Sequence, residues 1–340
     1  MQFRIVKKET LMRNPLRDNE RRSISSEIRQ DPLTRRTSRI CHFMKLKWEK
    51  PDFDKIVTGT QEFCPFCPEK IMKITPLFPE EILPEGRLTR DDMVLFPNIA
   101  PYDSLSSVAV MGSSHYIPMT EIEPARIAKA FRMVIDFFEI LEKIRHPEAV
   151  YHMINWNYMP PSGSSIIHPH LQVFSSADAP NLLRQELEAA RIYKEKNKSN
   201  YWDDLVKAET EKGDRFLAKT GKVTWLSSFA PLGVAGDVVG VMEEICSMTQ
   251  LTDADLADIA KGLTAAMRAY DKMGIYSFNM NFYPGAKGDD FTRLHLVFSP
   301  RTFFNQALGT PDVGAGQRLF NESVCMAHPE EINTMLKPEF

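Results

Sequence analysis

The chemistry this chain offers most directly lies in His168-Pro169-His170-Leu171-Gln172. If Ile167 to Phe174 is extended, residues at i, i+2 and i+4 share one face, so two imidazoles and a carboxamide line up. A neutral imidazole is a good nucleophile toward phosphorus near pH 7. A carboxamide beside it can donate a hydrogen bond to a phosphate oxygen but cannot act as a base. Such a site can hold a phosphohistidine-type intermediate until a second acceptor arrives. A glutamine where a third histidine would help to activate water favours transfer over hydrolysis. Just upstream, Pro160-Pro161-Ser162-Gly163-Ser164-Ser165 reads as a loop whose N–H groups and hydroxyls can approach an anion. The competing reading is a strand with incidental histidines.

A second cluster is Cys64-Pro65-Phe66-Cys67. Two thiolates at this spacing can hold one Zn²⁺, which takes four tetrahedral nitrogen or sulfur ligands, so two more are required. A thioredoxin-like redox pair would need a βαβ setting, which the proline-rich stretch Pro76 to Pro84 does not offer. Two inert cysteines are the third reading. Cys41, Cys246 and Cys325 have no partner spacing and read as buried hydrophobes. His42, His146, His152 and His328 have no partner legible in the sequence.

The elements that must position these groups repeat. Thr120-x-x-Glu123 is a capping-box pattern, and Ile127, Phe131, Val134, Ile135, Phe138 and Leu141 follow at helical spacing up to His146-Pro147. A strand, Ala149 to Trp156, then leads into the loop and the histidine strand. In the second half, Thr252-x-x-Asp255 opens a helix carrying Leu256, Ile259, Leu263, Met267 and Tyr270. It stops before Gly274, and an apolar run from Ile275 to Tyr283, a Pro/Gly/Asp loop and Arg293 to Phe298 follow. Asn155-Trp156-Asn157 aligns with Asn279-Met280-Asn281, and His168-x-His170 with Arg293-x-His295. The pattern predicts an internal duplication of which only the first copy keeps the full chemistry.

Composition bounds the rest. The 340 residues are 43% hydrophobic and 26% charged, with a formal net charge of −3, which fits a globular protein and gives no nucleic-acid or membrane signal. No apolar run approaches the ~20 residues a bilayer span needs. The basic first segment has no apolar core of a secretory signal, and five cysteines suit a reducing cytoplasm. The expected layout is a loose basic arm over residues 1–25 and a first module over 26–180. Residues 181–340 follow as a charged helical connection, a degenerate second module and a tail.

Asn157, Gly163, Ser165, His168, Pro169, His170 and Gln172 together resemble the active-site signature of the galactose-1-phosphate uridylyltransferases, the transferase branch of the histidine-triad superfamily. The resemblance implies an α+β fold in which two histidine-triad modules form one mostly antiparallel sheet flanked by helices. It implies a nucleotidyltransferase of carbohydrate (galactose) metabolism that works by double displacement. The nucleophile is His170, with Gln172 and Ser165 on the phosphate oxygens, and Asn157, Gly163 and Ser164 bind substrate. Substrates would be a nucleoside-diphosphate sugar and a sugar phosphate, and the enzyme a homodimer. The same resemblance supplies a ligand set of Cys64, Cys67, His115 and His168 for one structural zinc, and a nucleoside contact at Asn98.

Asp31-Pro32-Leu33-Thr34 matches a turn near the family's start, with Arg29, Arg36 and Arg39 as candidate anion contacts. Gln317 and Arg318, after Gly314-Ala315-Gly316, are further candidates for a phosphate-facing loop. A second metal known in some family members would take Glu186 and His295, but Tyr283 and Arg293 stand at the other two positions, so none is expected. Leu171 departs from the uridylyltransferases' glycine and is seen in related phosphorylases. This keeps open an ADP-glucose or diadenosine-tetraphosphate phosphorylase that uses inorganic phosphate. A zinc-containing nucleotide-binding protein without turnover is the reading from another class.

Overall fold

The computed structural model describes residues 1–41 and 48–340, so His42 lies outside the described residues. The chain opens with an antiparallel hairpin, β1 (Arg4–Asn14) and β2 (Glu20–Gln30), which runs on into β3 (Thr37–Ile40). Short helices α1 (Phe53–Thr58) and α2 (Pro68–Ile74) lead to β4 (Leu88–Arg90), β5 (Met93–Pro97) and β6 (Leu105–Val110). The long helix α3 (Pro124–Lys143) precedes β7 (Tyr151–Tyr158) and β8 (His170–Ser176). Helices α4 (Asn181–Asn197) and α5 (Tyr201–Lys212) cross to β9 (Phe216–Thr220), β10 (Val223–Ser227) and β11 (Val238–Met242). Helix α6 (Asp253–Lys272), β12 (Ser277–Tyr283) and β13 (His295–Arg301) follow. The chain closes with β14 (Phe303–Asn305), β15 (Thr310–Pro311), α7 (Ala315–Phe320), β16 (Ser323–Cys325) and α8 (Pro329–Leu336).

Ten strands form one sheet in the order β4-β5-β6-β8-β7-β12-β13-β11-β10-β9. Every pairing in it is antiparallel. The order reads alike from both ends, with β7 and β12 at the seam. Across that seam Asn155 pairs with Asn281 and Asn157 with Asn279, so the repeated Asn-x-Asn segments meet as two-fold images of each other. The fold is α+β, and the repeat read from the sequence is a pseudo-two-fold in space.

Strand alternation decides which face carries chemistry. Ile154, Trp156 and Tyr158, Leu171 and Val173, Phe278, Met280 and Phe282, and Leu296 and Phe298 are all buried in the main core. Helices α3 and α6 pack on that side, and their apolar faces contribute Phe131, Val134, Phe138, Ile259, Leu263 and Tyr270. The intervening residues Asn155, Asn157, Gln172, Asn279 and Asn281 therefore lie on the opposite face. Because the period is two, a slip of one residue would bury the amides and expose the core, which fixes the register.

Several sequence expectations are corrected. The arm over residues 1–25 is not loose. Asn14 Oδ1 accepts from the Leu16 N–H at 3.0 Å, Asp18 and Asn19 take left-handed conformations, and the turn closes the hairpin. Its many charges conceal the strand alternation. The Thr120-x-x-Glu123 capping box does not form: Pro124 occupies the first helical position, Glu123 is the cap residue without a side-chain bond, and Thr120 lies in a 3₁₀ turn. The Thr252-x-x-Asp255 box does form. The charged stretch from Asn181 to Thr220, helical by its periodicity, is helical only as far as Lys212, and residues 216–220 are a strand. No described helix is long and apolar enough to cross a membrane.

The three candidate anion-contact arginines each have a protein partner. Arg29 is buried and forked onto Glu330 at 2.9 and 2.8 Å, with Glu27 at 3.0 Å. Arg36 donates to Ser323 Oγ and the Ala230 carbonyl, and Arg39 pairs with Glu322.

Candidate functional site

His170 opens β8, where its ring is buried edge-on against Phe66 at 5.2 Å between centroids. Its Nδ1 lies 2.8 Å from the His168 carbonyl oxygen. A carbonyl only accepts, so Nδ1 carries the proton and Nε2 keeps the lone pair. Burial lowers the affinity of the ring for a second proton, against the pull of the same carbonyl. The result is an oriented neutral imidazole, the state a nucleophile needs.

Gln172 lies two residues along the same strand, half-buried and paired across to Asn155. Continuing that antiparallel register by two residues sets Asn157 opposite His170. The loop between β7 and β8 begins at Met159, whose φ of 66° and ψ of 161° are unusual for any residue but glycine. Such a backbone costs on the order of 1–3 kcal/mol and persists only where its surroundings hold it. Here Ser277 Oγ donates to the Tyr158 carbonyl at 2.6 Å, and Ser162 donates to the Met159 carbonyl through both N–H and Oγ. Gly163 has a φ of 88°, which favours glycine. Gly163 and Ser165 are exposed at the loop's crest, while Ser164 Oγ donates to the Ile166 carbonyl at 2.8 Å.

The metal-binding expectation meets a formed cluster. Ligand atoms of Cys64, Cys67, His115 and His168, all buried, lie within 4.8 Å of one another. His168 Nδ1 is 3.7 and 3.8 Å from the two sulfurs, and His115 Nδ1 is 3.5 Å from Cys67 Sγ. Bonds of ~2.0–2.3 Å to a tetrahedral ion imply ligand separations of roughly this size. The far nitrogen of each ring has its own partner: His168 Nε2 donates to the Gly112 carbonyl at 2.7 Å, and His115 Nε2 meets Thr60 Oγ1 at 3.1 Å. Both tautomers are thus set for Nδ1 ligation. Burial and the neighbouring Cys64 push the Cys67 thiol up to about 11, which a bound cation would reverse. The residues fit a four-coordinate metal ion.

The other candidates divide. Asn98 Oδ1 accepts from the Ala100 N–H at 3.0 Å, so its side chain caps the turn after β5. Gln317 caps α7: its Oε1 accepts from the Gly314 N–H at 3.0 Å and its Nε2 donates to the Asp312 carbonyl at 3.3 Å. It also lines a cavity of about 270 Å³ over Asn279, Asn281, Ser299 and Arg301. Arg318 is exposed on α7. A cavity of about 460 Å³ covers Gln172, Asn155 and Phe174 and shares Asn281 and Tyr283 with the first. The polar face is therefore a trough crossing both modules. Asn279, Arg301 and Asp312, which line it, were not read as site residues. The only local trace of Asn279 was its alignment with Asn155.

In the second module, His295 Nδ1 sits 3.1 Å from the Arg293 carbonyl, as His170 does from that of His168. Its ring is clamped between Trp202 (3.7 Å) and Tyr283 (5.0 Å), with Nε2 at 3.3 Å from Glu186. Arg293 is forked onto Asp203 at 3.0 and 2.8 Å.

A search of known proteins gives one curated relative, an uncharacterized protein of Archaeoglobus fulgidus, 35% identical over 308 residues that span 90% of this chain and 89% of that one. No family model matches. Among solved structures, an ADP-glucose phosphorylase from Arabidopsis thaliana with bound ADP-glucose aligns over 92% of this chain and 98% of its own, with a TM-score of 0.68 at 16% identity. A uridylyltransferase aligns over 92% of this chain and 98% of its own, with a TM-score of 0.66 at 19% identity. A galactose-1-phosphate uridylyltransferase-like protein from Arabidopsis thaliana also aligns, with a TM-score of 0.67 at 18% identity over 92% of this chain and 98% of its own.

Proposed function

We propose a nucleotidyl transfer by double displacement, from the premise that the chain belongs to one family with the archaeal protein and has the fold of the galactose-1-phosphate uridylyltransferases and ADP-glucose phosphorylase. The observation that carries the proposal is the buried His170 with its Nδ1–H held on the His168 carbonyl at 2.8 Å. His170 Nε2 attacks the α-phosphorus of a nucleoside-diphosphate sugar. The bond from that phosphorus to the bridging oxygen breaks, and the sugar phosphate leaves with the electron pair. A phosphate oxygen of the acceptor then attacks the same phosphorus and releases His170. Because both leaving group and acceptor are phosphates, neither half-reaction needs a general base.

The remaining roles follow from charge. Gln172, Ser165 and Asn157 donate to the nonbridging oxygens, where negative charge must be stabilised during transfer. The exposed Gly163–Ser165 crest lets backbone N–H groups approach the phosphate. Asn98, Ser164, Gln317 and Arg318 are weaker parts of this reading, since three of them are engaged in capping or loop bonds. Two thiolates and two imidazoles select zinc, and Cys64, Cys67, His115 and His168 would hold it as a closed structural site. One residue separates His168 from His170, so a metal ion held there would stiffen the strand that bears the nucleophile.

A second reading, phosphorolysis, shares the first half-reaction and hands the nucleotide to inorganic phosphate. The fold shared with a phosphorylase that holds ADP-glucose is compatible with it, as the fold shared with a uridylyltransferase is with the first reading. Leu171 does not decide between the two readings, because its side chain is fully buried in the core beneath the sheet. Homodimerisation belongs to this proposal as well. Strand β1 leaves an eleven-residue open edge, the kind of template that pairs with another chain.

Intact-protein mass after mixing with UDP-glucose, ADP-glucose, GDP-sugars and diadenosine tetraphosphate, each alone, tests the mechanism. An adduct of one nucleoside monophosphate on His170 is expected, and its mass names the base. Chasing it with a hexose phosphate or inorganic phosphate separates the two readings. No adduct from any donor overturns both.

A further inference from the structure

A chain of side chains links the second module to the substrate face of the first. Asp312, 2% exposed, accepts from Arg301 Nε at 3.0 Å on both oxygens and from Nη2 at 2.7 Å. It is held in turn by the Thr302 N–H at 3.1 Å. Arg301 Nη1 donates to Asn279 Oδ1 at 2.5 Å. Asn279 Nδ2 donates to Asn157 Oδ1 at 2.6 Å and to the Ser162 carbonyl at 3.0 Å.

The direction of every bond in this chain is forced. An asparagine amide can ordinarily sit either way round. A guanidinium has only donors, however, and a backbone carbonyl only accepts. Arg301 on one side and the Ser162 carbonyl on the other both require Asn279 to turn its oxygen toward Arg301 and its nitrogen toward Asn157. Asn157 must then offer Oδ1 to Asn279. That leaves its own Nδ2, a donor, free on the polar face of the sheet, where the strand register sets Asn157 opposite His170.

We propose that Asn279, Arg301 and Asp312 are positioning residues of the second module that fix Asn157 as a hydrogen-bond donor to a nonbridging oxygen of the phosphate attacked by His170. The inference rests on the nucleotidyl-transfer reading. On it, the degenerate module sets the polarity of one contact in the intact one. Reversed, Asn157 would aim oxygen at oxygen and oppose the charge that develops.

Asn279→Asp tests this. The carboxylate keeps Arg301 but cannot donate, so Asn157 turns its nitrogen toward residue 279 and its oxygen toward the substrate. The expected loss is about 100-fold in the rate of adduct formation, the scale of one lost transition-state donor, with KM little changed. Arg301→Met should cost about tenfold, and Arg301→Lys, which still only donates, should restore most of that loss. Donors with sulfur at either nonbridging α-position give the readout that loosened packing would not move. The wild type should prefer one diastereomer, and Asn279→Asp should compress that preference while the melting temperature holds. A wild type that reacts, with an Asn279→Asp variant that keeps both its rate and its diastereomer preference, overturns this inference alone. A wild type that forms no adduct with any donor overturns it together with the proposed reaction.

Discussion

His168 Nε2 donates to the Gly112 carbonyl oxygen at 2.7 Å, and this one bond turns Nδ1 toward the sulfurs of Cys64 and Cys67. The loop after β6 thereby sets the metal-facing nitrogen of a residue that lies just before the nucleophile's strand.

The metal cluster should be measurable as bound metal. Cys67→Ser removes one ligand and should abolish stoichiometric zinc, with a stability loss of ~3 kcal/mol or more. Elemental analysis with a thermal melt checks both. Wild-type protein purified without metal, yet equally stable after added chelator, would refute the assignment.

Replacing His170 with Gly should eliminate the covalent adduct while a cooperative melt shows that the fold survives, at a lower temperature because the buried ring's contact with Phe66 is lost. Unchanged turnover in this variant would sink the mechanism.

His152 should make stability fall with acid. It is buried, stacked on Phe138 at 4.5 Å and bonded to Ser175 Oγ at 2.7 Å. Burial pulls its pKa down to about 4, against the opposing charge of Glu142 and with the help of Lys287. Above the unfolded value of ~6.5 both states are neutral and the group has no effect. As pH falls from there toward 4, only the unfolded chain binds the proton, so stability drops, by up to ~3 kcal/mol, and then levels off. Urea unfolding at pH 7.5 and 4.5 should show this slope in wild type and a shallower one in His152→Gln. Equal slopes would mean that the burial is less complete than the geometry requires.

Glu330 locks the hairpin base to the C-terminal helix. It meets Arg29 and Arg215, which are 4% and 1% exposed, and Arg215 also pairs with the buried Glu209 at 2.9 Å. Burial alone would raise the Glu330 carboxyl, but Arg29 and then Arg215 hold it at about 2. A depressed carboxylate stabilises the fold above its unfolded value and loses that contribution as pH falls through about 2. Glu330→Gln removes the carboxylate that bridges Arg29 and Arg215, each of which keeps one partner, Glu27 and Glu209, and should cost about 2 kcal/mol at neutral pH. A denaturation midpoint unchanged from wild type would show the network to be solvated.

Local spacing alone carried a good part of this protein. The His-x-His-x-Gln alternation, the Cys-x-x-Cys knuckle, the apolar faces of the two long helices and the Thr252–Asp255 box are all written within a few residues of one another. Chain periodicity acts at that range, and so the repeat was legible, while the α+β class was what the family resemblance implied. Tertiary structure decided the rest. Arg29 finds Glu330 across 301 positions, and Asn279 finds Asn157 across 122. The same long-range pairing gives Arg29, Arg36 and Arg39 their protein partners, and Gln317 serves as a helix cap. A charge or an amide shows its type in the sequence but not its partner. The partner is chosen by the long-range register of a sheet whose two halves meet at one seam, and that register exists only once both helices have buried the other face.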